Sequence, residues 1–154
     1  MRGLDLRVLT LVVGGALAIA PQLFAAPSEH DCPQARSRVI SVLQAEIDPL
    51  LESHARGRFS GEQVSESRLA AMKEASELAS FCAIGASYAN PPTPLGTSPL
   101  YKAATRLHRI RSTLDGLRAP TCDKGCIDGL MGMVNSEREH LAKALGSKGD
   151  RPGR

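Results

Sequence analysis

The sequence predicts an all-α protein: an antiparallel up-down four-helix bundle, disulfide-stabilised, after a cleaved signal peptide. Three observations carry that expectation. Four stretches repeat apolar residues at helical spacing, no stretch alternates apolar and polar residues with period two, and four cysteines follow an export-like leader. Size and composition suit one soluble domain, with 154 residues, 42% of them apolar and 23% charged.

Residues 1–25 read as the signal peptide. Arg2 and Arg7 precede an apolar run from Val8 to Ala20, which is shorter than the about 20 residues that span a bilayer. Cleavage is expected between Ala25 and Ala26, because Pro21 disfavours cutting after Ala20. Residues 26–145 then form the bundle domain, and the polar residues 146–154 a disordered C-terminal tail. No later segment is apolar enough for stable membrane insertion once the signal is cleaved, so the expected location is periplasmic or secreted.

The first helix runs from about Pro33 to Arg56, with Pro33 in the first turn and Ile40, Leu43, Ile47, Leu50 and Leu51 on one face. Pro49 either kinks it or starts a new turn capped by Asp48. The second opens on Ser60-Gly61-Glu62-Gln63, which reads as a capping box, and continues to about Ala89. Its inner face is small: Val64, Ala71, Ala75, Leu78, Ala79 and Cys82. Pro91, Pro92 and Pro94 end it in a stiff loop. The third starts at Ser98-Pro99 and carries Leu100, Ala104, Leu107, Ile110, Leu114 and Leu117. The fourth starts between Thr121 and Asp123 and carries Ile127, Leu130, Met131, Val134, Leu141 and Leu145.

Topology pairs the cysteines. In an up-down bundle the start of the first helix and the end of the second share one end of the molecule, which brings Cys32 to Cys82. Cys122 and Cys126 stand together at the other end. The expected bridges are Cys32–Cys82 and Cys122–Cys126. The competing reading of Cys122 and Cys126 as a redox or metal site lacks the C-x-x-C spacing and the βαβ context such sites use.

Composition excludes several functions. Aromatic residues are 3% and Trp is absent, so there is no platform for stacking nucleic-acid bases. The net charge of +3 is too small for a phosphate-binding footprint, and no nucleic-acid partner is expected. C-x-x-C-H is absent, as are H-E-x-x-H, G-x-S-x-G and the phosphate-binding loop. No catalytic residue, metal ligand or cofactor is expected, and the chain reads as a non-enzyme. Glu137 and His140 have the spacing of a di-iron half-site, but one such motif does not make a site and His140 points away from the core.

What remains is binding. Phe81, Ile84 and Tyr88 project away from the Ala-rich face of the second helix. Either the Pro91 to Leu95 loop folds back over them, or they form a partner or dimer surface. Lys102, Arg106 and Arg109 form a basic stripe on the third helix, read either as a second interaction surface or as a solvated face neutralised by Glu62, Glu66, Glu74 and Glu77. The leading expectation is an exported protein that binds another macromolecule, expected to be a protein, as an inhibitor, immunity protein or adaptor, with a homodimer as one form of it. The alternative is a small-ligand, haem or metal-binding periplasmic bundle that uses His54, Arg68 and Arg138 in the central seam. The two arginines sit on apolar faces, where each needs a carboxylate partner, such as Glu46 or Glu74, or must snorkel to water.

Overall fold

The computed structural model describes residues 31–146. The expected signal peptide and the tail beyond Gly146 lie outside the described residues. Within them every regular element is helical, and four helices pack together.

The first helix, α1, is continuous from Asp31 to Ala55 but changes its winding. It is α-helical over Asp31–Val42, π-helical over Leu43–Ile47 and α-helical again over Asp48–Ala55. Pro49 explains the change. It has no N–H for the carbonyl of Ala45, and in a regular helix its ring would collide with that carbonyl. The wider π turn makes room for the ring, and the N–H of Asp48 donates to the Leu43 carbonyl five residues back. The two alternatives at Pro49 thus resolve into an uninterrupted rod with one wide turn. The rod ends in a Schellman motif. Gly57, at φ +68, lets its own N–H reach the His54 carbonyl and that of Arg58 reach Ser53, both at 2.9 Å.

The second helix, α2, spans Glu66–Ser87, and its cap is Ser65, whose hydroxyl accepts from the Arg68 N–H at 3.2 Å. This corrects the expected start at Ser60. Ser60 to Gln63 instead makes a separate 3-10 turn, Gly61–Gln63, with the Gln63 N–H on the Ser60 carbonyl. The turn is held against the end of the third helix: a Cβ on Gly61 would run into the carbonyl oxygen of Leu117. Gly61→Ala should therefore destabilise the fold by about 1–3 kcal/mol, the usual cost of overpacking. Urea denaturation checks this, and an unchanged midpoint would show that the turn can move away.

The third helix, α3, spans Pro99–Gly116, with Ser98 accepting from the Tyr101 N–H and Pro99 in its first turn. The fourth, α4, spans Lys124–Ala144, with Asp123 accepting from the Cys126 N–H at 2.8 Å. Cys122 and Cys126 lie at disulfide distance across that cap, with Cα atoms 5.2 Å apart. The structure does not join Cys32, half-buried in the first turn of α1, to Cys82, buried on α2.

α2 packs on α3, α3 on α4, α1 on α2, and the Asp48–Ala55 part of α1 on α4. Small residues set the α2–α3 approach. Ala75, Ala79, Ala103 and Ala104 are all buried, and Ser76 donates to the Ala104 carbonyl at 3.0 Å. Larger residues fill the centre: Ile47, Leu50, Met72, Leu107, Ile110 and Leu141. Each such side chain contributes about 1.5–3 kcal/mol when fully buried. On α2 the periodic reading missed Leu69 and Met72, which are buried, whereas Ala71 and Leu78 are only half-buried. Among the described residues the core contains no buried aromatic side chain.

Candidate functional site

The seam between the helices is polar at one level, and the protein uses those groups itself. Pro49 leaves the Ala45 carbonyl without a helical donor, and Arg68 of α2 supplies one. Its guanidinium donates to the carbonyls of Ala45 at 3.3 Å and Glu46 at 3.0 Å, and to the Glu46 carboxylate at 3.2 Å. From the other side Arg138 of α4 grips Asp48, with Nε to Oδ1 at 2.9 Å and Nη2 to Oδ2 at 3.2 Å. Both side chains are only 11% exposed. The hydrogen bond to Asp48 pushes the Arg138 pKa above its ordinary value, so the guanidinium keeps its charge.

Asp48, rather than Glu46 or Glu74, is thus the partner of Arg138. Glu46 serves Arg68, and Glu74 binds Arg38 at 3.3 Å. His54, at the end of α1, is bonded to Asp128 of α4 at 2.9 Å, with its ring edge-on to Phe59. All three residues named for a ligand in the seam, His54, Arg68 and Arg138, are held by internal partners. No group of three or more potential metal ligands occurs among the described residues.

The outer face of α2 is different. Phe81 is 53% exposed, Ile84 43% and Tyr88 87%. The Pro91 to Leu95 loop does not cover them. It is tied back to the end of α2, with the Thr93 N–H on the Ala86 carbonyl at 2.9 Å. Tyr101 of α3, also exposed, joins Phe81 and Ile84 around a depression of about 450 Å³ floored by Ala104.

Next to it, between α3 and α4, lies a groove of about 630 Å³, and Tyr101 and Thr105 line both hollows. Lys102, Arg106 and Arg109 of the expected basic stripe line it from α3; His140 and Lys143 line it from α4. The stripe is neutralised only in part, and by Glu137 of α4 rather than by the acids of α2. Glu137 receives Arg106 at 3.0 Å and Arg109 at 3.6 Å, while Glu66 of α2 pairs with Arg118 instead. His140 points outward as expected, its Nδ1–H donating to the Ser136 carbonyl at 2.8 Å.

The sequence reading confined the basic surface to α3 and so missed Tyr101, His140 and Lys143. The only signal for them was the helical spacing of His140 and Lys143, three residues apart on one face.

No family model, curated protein or solved structure matches the chain. No helix among the described residues is long and apolar enough to cross a membrane.

Proposed function

We propose that this is an exported, non-enzymatic bundle whose helices run alternately up and down, and that it binds another protein through the face carrying Phe81, Ile84 and Tyr88. The observation that carries this reading is where the aromatic residues are. The chain has three Phe and two Tyr; among the described residues Phe81, Tyr88 and Tyr101 are exposed on α2 and α3, and Phe59 alone packs, half-buried, against the core. Exposed aromatic side chains cost solvation without helping the fold, and they are the residues that anchor protein interfaces. Lys102, Arg106 and Arg109 flank the same face and supply its charge. The alternating course of the helices is supported by the ion pairs Arg38–Glu74 and Arg68–Glu46 between α1 and α2, and by Arg36 on the Leu145 carbonyl and His54 on Asp128 between α1 and α4. Export is supported by the leader in residues 1–25 and by the cysteine pair at disulfide distance.

Site-directed photo-crosslinking in the producing cell tests the reading. With p-benzoylphenylalanine in place of Ile84, irradiation should yield one covalent adduct with a polypeptide, either a second copy or another chain. The adduct should vanish when Phe81→Ser and Tyr88→Ser are added, with the melting temperature changed by no more than about 5 °C, as for surface substitutions. A crosslinker in place of the exposed Gln44, on α1, should give none. Equal adducts from both positions, or a fall in stability of several kcal/mol on replacing Phe81 and Tyr88, would overturn it.

A further inference from the structure

We infer that the apolar depression and the basic groove form one continuous site, and that it takes a single acidic, amphipathic segment of a partner protein. This rests on the binding role proposed above and specifies the chemistry of the partner. Three observations carry it.

The first is continuity. Tyr101 and Thr105 of α3 line both hollows, so an occupant of one is in contact with the wall of the other. The second is charge. Lys102, Arg106, Arg109, Lys143 and His140 line the groove, and no Asp or Glu does. Two carboxylates stand close by: Glu137, 19% exposed and shared between two arginines, orients them without cancelling the groove's charge, and Glu77, at the edge of the depression, is paired with Lys73 at 3.8 Å. A guanidinium fixed in this way is ready to bind a second carboxylate with little loss of rotamer freedom. The third is the sequence of surfaces across the helices. Apolar Phe81 and Ile84 on α2 lead to Tyr101 on α3 and then to the cations on α3 and α4, so an occupant must change from apolar to acidic over the width of about one helix, roughly 10 Å. A helix with an apolar stripe beside an acidic one meets that requirement. Anionic lipid would supply charge on a flat surface and would not select the aromatic depression; nucleic acid would require more net charge than this chain carries.

Two crosslinkers and one charge reversal decide it. One protein carries p-benzoylphenylalanine in place of Ile84, in the apolar half. The other carries it in place of Thr97, which lines the groove but not the depression and leaves every cation intact. Both should attach to the same partner, within one segment of about 20 residues in which Glu or Asp lie beside apolar residues. Lys102→Glu with Arg109→Glu should cut the adduct at position 84 at least tenfold, with the helical circular dichroism unchanged. Raising the salt from 0.05 to 0.5 M should weaken it as well.

An adduct at 84 with none at 97, or one that survives the charge reversal, would leave the apolar surface as the binding face and overturn the joined site. Attachment at 97 to lipid or nucleic acid, or to a partner segment without acids, would overturn the acidic peptide. Absence of adducts at both positions would overturn the binding role as well.

Discussion

Replacing Arg138 with Met is expected to destabilise the protein by about 3 kcal/mol, near the low end for removing one partner of a buried ion pair. Asp48 would be left at 11% exposure with both of its guanidinium bonds gone. Desolvation without compensation is the cost, and the residual exposure keeps it at the low end of the range. Asp48→Ala should cost a similar amount by stranding the guanidinium. The double variant Asp48→Leu, Arg138→Met should recover most of the loss, since well-packed apolar pairs replace buried ion pairs without penalty. Urea titrations of the four proteins measure both the single costs and the coupling. A loss under about 1 kcal/mol for Arg138→Met would mean that water reaches the pair and that it contributes no more than a surface bridge.

The second large effect concerns Cys32 and Cys82. Going back along α1 from Glu46 to Arg38 moves the partner on α2 forward from Arg68 to Glu74. Continuing back to Cys32 brings the partner position to about residue 79, within one turn of Cys82. Export to an oxidising compartment would therefore join them. The unreduced mature chain is expected to be lighter by the four hydrogens of two disulfides. Because this bridge closes a loop of about 50 residues, Cys82→Ser should lower stability by about 2–4 kcal/mol relative to the oxidised protein, whereas opening the short Cys122–Cys126 loop should cost less. A mass short of only two hydrogens, with Cys82→Ser as stable as the parent, would reject the bridge.

The four helices were legible because each has a one-sided apolar repeat and punctuation that local chemistry enforces. Ser98-Pro99 and Asp123 cap where expected, and the proline cluster after Ala89 ends α2. The error at Ser60 is instructive. Ser-x-x-Gln carries the same local signal there as in a true capping box, but packing of Gly61 on Leu117, distant in sequence, turns that segment into a separate 3-10 turn. The π turn was hidden for a similar reason. Pro49 reveals that a carbonyl loses its donor, but the replacement donor, Arg68, comes from another helix. Asp48 looked like a cap because Pro49 follows it, and its role as the partner of Arg138 is purely tertiary. In the candidate site, the outward direction of Phe81, Ile84 and Tyr88 followed from helical spacing alone. Their exposure did not, because it depends on the course of the loop. The groove required knowing which face of α4 lies beside α3.

The placement of the aromatic residues also determines how the molecule behaves under light. With no Trp and only two Tyr, both exposed among the described residues, its near-ultraviolet signal comes from Tyr88 and Tyr101. Unfolding changes the surroundings of Tyr88, at 87% exposure, little, so its emission would be a poor reporter of folding and the helical far-ultraviolet band the better one. Both rings stand beside the face proposed for binding. A partner that covers them would shift their emission while the backbone signal stays constant, so the protein has a built-in optical probe that separates occupancy from stability.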